Sequence, residues 1–595
     1  MHRRSFIRNT IGTGIAMQST IRSWSKFNLT SGFNLNGPSK PVFVYNNWSA
    51  YDELSDNVPQ TEELAMRELD EILRLKKAGV EIDYYVMDAF WFDKWGGYRE
   101  WHKQHWPNGP GKWLNLCEKN NIKPGMWFST NLIATQAGRF LEVIHEWKDS
   151  LATDPNIMCL FDGGYLKHLA GTLQMWYDKG VRLFKFDFAY FEAVTPAESK
   201  KYSKEQVIEK NKVAFMTMLK QFRKKNPDVL ITGYNGFGGD MENTFTPFNK
   251  TIDPRWLETF DTLYSGDPRF SDVPMMNIWR SQDNYSDHQV NAFKAYGMPG
   301  RRIDNCAFMI GKTGTCYYRG NHCWKGMLIL ELARGGWLNV YHGNLELLSE
   351  DDAHWFAKTQ SMYRPLQRRD TTTTFGGIPG KGKPYGFKSS TSQGIVCTVV
   401  NPSQELATIR LPAETAGQLL YADGGYQPQV RGQDIALGAE QLAVVGFGEF
   451  ANEKYILGTD STINIPNVIE KLQSAFVPSG KNVIEGSVKA DGHGDVRIIF
   501  QQFDAQGLPF RSWPGAPPSG KKVNEVIQIN AWQGDKSIPL YIEYDKIIWS
   551  GLSWGAAEIM KDSFNPAESL SIKCSSTEQN ELKLHADVYR VSYKS

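Results

Sequence analysis

Between residues 42 and 341, short apolar runs alternate with stretches of helical periodicity, and this alternation constrains the fold more than any other feature. The runs lie at 42–45, 82–87, 122–128, 181–186, 229–234, 302–310 and 337–341, with a sixth run in chain order at either 262–265 or 275–279. Each is too short for a buried helix and reads as a strand covered on both faces. Between them, 62–79 carries apolar residues at helical spacing and stops at Gly79, and 204–224 and 324–334 read the same way. Strand–helix–strand repeats bury their apolar surface best as a parallel sheet with helices packed outside. Eight such units predict a (β/α)8 TIM barrel over residues 36–371. A doubly wound sheet is the structural alternative. No glycine-rich phosphate loop follows any run, which counts against nucleotide binding.

After about residue 371 helical periodicity vanishes. Alternating segments at 394–400 and 442–447, with Gly and Pro turns, predict a β-sandwich over 372–451. Segments 496–503, 537–544 and 586–593 predict a second all-β sandwich over 452–595. Trp513, Trp532, Trp549 and Trp554 could form a stacking platform for sugars in this last block. Burial of their rings is the favoured expectation.

Arg3-Arg4-Ser5-Phe6-Ile7-Arg8, followed by a weak apolar stretch at 11–17, has the pattern of a twin-arginine export signal. Residues 1–35 are therefore expected to be signal and linker, and the rest periplasmic or extracellular. Lys+Arg is 66 against Asp+Glu 65, so nothing favours nucleic acid. No run of 18 apolar residues suits a membrane span. Seven cysteines make no disulfide framework in 595 residues. Cys306, Cys316 and Cys323 are close enough in sequence for one bridge, though buried free thiols are the stronger expectation. No CxxC pair or HExxH-like spacing occurs, and neither metal nor cofactor is expected. The oligomeric state is left open.

In a TIM barrel the chemistry sits at the C-terminal ends of the strands. The residues there are Asn47 and Trp48 after the first run, and Asp88 with Trp91 after the second. Trp127 lies on the third, Lys185 and Asp187 on the fourth, and Tyr234 and Asn235 at the end of the fifth. Asp267, Arg280 and Asp283 follow in the sixth unit. Carboxylates from several strands, with tryptophans around them, are what glycoside hydrolysis requires: one attacks or stabilises the anomeric carbon and one protonates the leaving oxygen. A single such Asp is more often a helix cap or a loop ion pair.

Four motifs carry a resemblance to the clan of retaining α-galactosidases in glycoside hydrolase families 27 and 36. Met87-Asp88-Ala89-Phe90-Trp91-Phe92, Trp106-Pro107-Asn108-Gly109 and Gly125-Met126-Trp127-Phe128 follow the order and spacing of the clan's DDGWF, FPNG and GLWFEP patterns. Lys185-Phe186-Asp187 matches its Lys-x-Asp nucleophile motif. The resemblance covers roughly 41–370 and implies a carbohydrate substrate and retaining hydrolysis of an α-linked sugar. Asp187 would be the nucleophile, with Lys185 beside it binding hydroxyls and keeping it ionised. Asp88, Trp91, Trp127, Tyr234, Asn235, Arg280, Asn47 and Trp48 would bind substrate. For the acid/base, 261–267 resembles the family-36 pattern and 278–283 the family-27 pattern, so Asp267 and Asp283 both stand as candidates. Ala89 and Phe90 replace the second Asp and the Gly of the clan's motif, and Tyr234-Asn235-Gly236 departs from the family-36 pattern. The resemblance therefore implies an α-linked sugar more firmly than galactose. The alternatives are transglycosylation of the raffinose-synthase type and non-catalytic glycan binding.

Overall fold

The computed structural model describes residues 40–593 apart from 49, 51–58, 90, 136–137, 140–145, 239–251, 296–297, 305–307, 313–318, 321–322, 368–370, 414, 516–518, 543–547 and 549. The expected export signal, Phe90, Cys306, Cys316 and Trp549 lie outside the described residues.

The first part of the chain forms a parallel sheet. Its strands are β1 (Val42–Asn46), β2 (Tyr84–Met87), β3 (Lys123–Ser129), β4 (Leu183–Asp187), β5 (Leu230–Gly233), β6 (Thr262–Tyr264), β7 (Ile303–Asp304) and β8 (Leu338–Gly343). They pair in the order β7-β6-β5-β4-β3-β2-β1-β8, with registers such as Val44 to Tyr84, Val86 to Gly125, Trp127 to Lys185 and Phe186 to Gly233. Phe308–Gly311, a few residues past β7, pairs with the free edge of β8. Arg319–Gly320 pairs in turn with Phe308–Gly311, so the two ends of the ladder, Ile303–Asp304 and Arg319–Gly320, come from nearby stretches of chain. The sheet is TIM-like, with its helices between the strands in sequence.

The sixth run resolves to 262–264. The competing run at 275–279 leads into the helix Ile278–Ala295, and its Met276, Ile278 and Trp279 pack into a different core. The hairpin Phe92–Asp93 and Gly97–Trp101 follows β2 and has no counterpart among the sequence expectations.

Local signals explain the helices. Thr61 caps Glu62–Lys77 by accepting from Leu64 N at 3.1 Å, and Ala65, Leu69, Ile72 and Leu75 make the buried stripe. Gly79 then takes φ +100, a conformation that suits glycine, to turn the chain toward β2. Ser203 and Gln206 form a capping box on Lys204–Lys225.

Antiparallel sheets follow. A six-stranded sheet from Thr373–Gly376 onward and a three-stranded sheet enclose a core that includes Val399, Ile435 and Val445. Gly458–Asp460 pairs parallel to Gln418–Asp423, so that sheet takes a strand from beyond residue 451. Four- and five-stranded sheets built from 468–592 enclose a core around Val496, Ile529, Trp554 and Ile572. Trp554 is buried there, and Trp513 and Trp532 are half-buried. Of the expected strand 537–544, only Lys536–Ser537 is in a ladder among the described residues. Cys117, Cys159, Cys397 and Cys574 are buried and unbridged, and Cys323 is buried.

Candidate active site

Alternation along the strands builds the site. Residues two apart on a strand share a face, so Leu183, Lys185 and Asp187 of β4 project to one side, while Phe184 and Phe186 pack with Phe215 and Phe222 of the helix Lys204–Lys225. Leu183 joins Val44, Val86, Leu338 and Val340 in an apolar layer. Two residues further along, the same face turns polar.

There, Lys185 Nζ lies 2.7 Å from Asp88 Oδ2, with both side chains nearly sealed from water. The Tyr234 ring covers the ammonium at 4.1 Å and the Trp48 ring lies at 5.7 Å. Asp187 is 7% exposed. Its Oδ2 accepts from Trp127 Nε1 at 3.1 Å; its Oδ1 accepts from the backbone N–H of Phe188 at 2.9 Å and of Asn235 at 3.1 Å. Phe188 holds φ +47, a left-handed conformation rare for a bulky residue, immediately after this carboxylate. Gly236 holds φ +98, and a Cβ there would stand 2.3 Å from Ala189 O. Glycine thus lets the loop after β5 close on the loop after β4 and deliver the Asn235 N–H.

Burial pushes the Asp187 carboxyl above the usual carboxylate range, and the Lys185 charge and the Trp127 indole pull it back only in part. Lys185 was expected to keep Asp187 ionised; its charge does act in that direction, but its direct ion pair is with Asp88.

The polar layer continues around the strand ends. Tyr234 donates its hydroxyl to Asp304 Oδ2 at 2.5 Å and stacks on Tyr264 at 4.5 Å between centroids. Tyr264 donates to Asp267 Oδ1, and Arg269 pairs with Asp267 Oδ2 at 3.0 Å. His342 on β8 meets the Trp48 ring edge-on at 5.9 Å. Burial, reinforced by the Lys185 charge, holds its imidazole well below the usual range and therefore neutral. Among the described residues no group of three or more His, Cys, Asp or Glu is placed to hold a metal ion.

The structure therefore brings Asp88, Lys185, Asp187, Trp127, Tyr234, Asn235, Trp48 and Asp267 together through direct contacts or one intervening tyrosine. Asn47 is wholly buried: its Oδ1 accepts from Asp88 N at 2.8 Å, and its Nδ2 donates to Gln60 Oε1 at 2.8 Å and Glu68 Oε2 at 3.1 Å. It supports Asp88 from behind. Trp91 is wholly buried among Phe92, Tyr98, Trp101, Phe128 and Trp176, and donates to Trp127 O at 2.9 Å. Arg280 and Asp283 lie inside the helix Ile278–Ala295 and pair at 2.6 Å, and Arg280 also reaches Asp423 Oδ2 of the six-stranded sheet at 2.5 Å. Arg280 thus ties this helix to the antiparallel sheets. Asp304, Tyr264 and His342 escaped the sequence reading. Asp304 falls within the seventh run and His342 just past the eighth, so extending the strand-end rule around all eight units finds both.

With this geometry, comparison with known proteins becomes informative. No family model matches the chain, and no curated protein matches it in sequence. Solved structures do match. The fold is similar to that of α-galactosidases. A variant of the GH36 α-galactosidase AgaA from Geobacillus stearothermophilus, in complex with 1-deoxygalactonojirimycin, superposes with a TM-score of 0.50 at 14% identity, covering 69% of this chain and 55% of that one. The match thus spans about half the length of that relative. The α-galactosidase MEL1 of Saccharomyces cerevisiae gives 0.40 at 12% identity, over 65% of this chain and 77% of that one. Isomaltulose synthase from Erwinia rhapontici NX5 gives 0.44 at 11%, over 69% and 99%. The first of these establishes a likeness of fold to a glycoside hydrolase. No helix among the described residues is long and apolar enough to cross a membrane.

Proposed function

We propose that the protein is a retaining glycoside hydrolase acting on an α-linked sugar, α-galactosidase-like in its chemistry. The observation that carries this is the setting of Asp187: a carboxylate at the end of β4, steadied by three N–H donors and flanked by the Lys185–Asp88 pair. Such donors stabilise the charged, nucleophilic form without consuming it. Asp187 attacks the anomeric carbon, while Asp267, protonated at that moment, gives its proton to the leaving oxygen. Water then opens the glycosyl-enzyme, with Asp267 acting as base. Lys185, Asp88 and Trp48 bind the sugar's hydroxyls and apolar face. The wedge of Tyr234 over Lys185 and the replacement of the clan's second Asp by Ala89 distinguish the sugar pocket from a galactose pocket. The parallel strands form a complete (β/α)8 barrel, in which Phe308–Gly311 on the edge of β8 takes part. The N-terminal segment exports the protein.

The test is hydrolysis of aryl α- and β-glycosides of galactose, glucose, arabinose and N-acetylgalactosamine by wild type and Asp187→Asn. Release from an α-glycoside that the substitution abolishes, with the product's α-anomer appearing first by proton NMR, is the expected result. Undiminished activity in Asp187→Asn removes the proposed nucleophile.

A further inference from the structure

The segment 265–277, which follows β6 and presents Asp267, belongs to no helix or strand. An extended segment of this kind has little of its own to order it, and fixing each residue carries a large entropic cost. Tyr264 and Arg269 hold Asp267 itself, and Ser271 N donates to Ser281 Oγ at 3.0 Å, but further anchors come from beyond residue 371. Trp554 Nε1 donates to Ser271 O at 2.8 Å. Asp272 Oδ1 accepts from Arg511 Nε and from Ser553 Oγ, both at 2.8 Å. Gln404 Nε2 donates to Pro274 O at 2.9 Å, and the Glu440 carboxylate accepts from Met276 N and Asn277 N at 2.7 Å each. Phe270 and Met276 are buried in the same apolar cluster as Val496, Ile498 and Trp554. Glu440 stands at φ +57 to make its contacts, and Arg497 ties it to Glu558 of the C-terminal sheets.

We propose that the C-terminal antiparallel sheets are a positioning element of the active site: they hold the loop after β6 from outside and so fix where Asp267 stands. This rests on the assignment of Asp267 as acid/base. A general acid must sit within hydrogen-bond reach of the leaving oxygen, and small displacements are costly in rate. Arg511, Ser553 and Trp554 are accordingly positioning residues, far along the chain from any residue that touches substrate. The C-terminal block shares its core with the loop after β6.

Proton donation matters most when the leaving group is poor, because a good one departs without help. Arg511→Ala and Ser553→Ala are therefore compared with wild type on the 4-nitrophenyl and the methyl α-glycoside of the sugar the enzyme hydrolyses. In Arg511→Ala, kcat/KM is expected to fall about tenfold or more on the methyl glycoside and less than about threefold on the aryl one. Arg511→Lys should recover part of the loss. Equal losses on both substrates, or none on either, overturn the role in proton donation. In parallel, amide hydrogen exchange of 269–277 should speed up in both alanine variants while 230–233 stays protected; unchanged exchange overturns the clamp itself. Should Arg511→Ala fail to fold, Ser553→Ala decides by the same readouts. Wild-type inactivity on every glycoside would count against the glycosidase reading and with it the role in catalysis, while exchange would still decide the clamp.

Discussion

Lys185 Nζ and Asp88 Oδ2 are 2.7 Å apart in a site where neither side chain reaches bulk water. Removing one member strands the other as a buried charge, at a cost of about 3–5 kcal/mol. Asp88→Ala should lose that much stability in urea unfolding and lose activity. The double variant Asp88→Leu, Lys185→Met should recover most of the stability and none of the activity. Recovery of activity would mean that the pair serves only the fold.

The pH dependence follows from Asp187. In the proposed mechanism it must be ionised to attack, and burial raises its carboxyl above the usual 3.8. The acidic limb of kcat/KM should therefore lie above pH 3.8. Trp127→Phe removes a donor that favours the ionised form and should move that limb to higher pH. The stability linkage has the same sign. A carboxyl with a raised folded-state pKa contributes fully below its unfolded value, and the contribution fades as pH rises through the folded one.

Glu68 behaves similarly in the support behind the site. Burial pushes its carboxyl from 4.5 up to about 8, against hydrogen bonds from Tyr85 and Asn47. The native state then keeps a proton that the unfolded chain releases, so stability falls as pH rises from 4.5 toward 8. Glu68→Gln keeps an acceptor for Asn47 and removes the titration. Its stability advantage over wild type should grow by up to about 1.4 kcal/mol per pH unit across that range. Parallel pH profiles in chemical denaturation would refute this.

Asp267 and Asp283 are separable by what their loss damages. Asp267→Asn should lower turnover of a methyl glycoside by about 10²- to 10⁴-fold, and of a 4-nitrophenyl glycoside much less. Asp283→Asn removes a buried partner of Arg280 and should lower the melting temperature while leaving the ratio of the two rates near wild type. A leaving-group effect confined to Asp283→Asn would exchange their roles.

Much of the parallel sheet was legible because its strands are covered on both faces and so appear as unbroken apolar runs. The helix beginning at Glu62 and ending before Gly79 was legible for a similar local reason: its cap, stripe and stop are all in the sequence. Lys185 and Asp187 were legible because a two-residue spacing on a strand puts both on one face. The polar content of Ile278–Ala295 was not. Arg280 and Asp283 look like site residues because they are charged and follow β6, yet Arg280 pairs with Asp423, distant in sequence, and Asp283 pairs with Arg280. Trp91 misled in the opposite way. A tryptophan beside a catalytic strand end suggests a sugar platform, and only its neighbours Tyr98, Trp101 and Trp176 reveal that it is enclosed.

The Arg280–Asp423 and Glu440–Arg497 contacts make the chain's borders thermodynamic rather than modular. A gene cut after residue 371 would encode the parallel sheet with Arg280 short of Asp423 and with Phe270, Met276 and Trp279 stripped of their partners beyond the cut. Such a fragment is poor material for domain shuffling, for fusion tags placed at that junction, or for expression on its own. The described residues 40–593 belong to one compact unit, and a change of charge at Asp423 has to be answered at Arg280. The smallest piece of this protein that selection or an engineer can move intact is therefore nearly the whole of it.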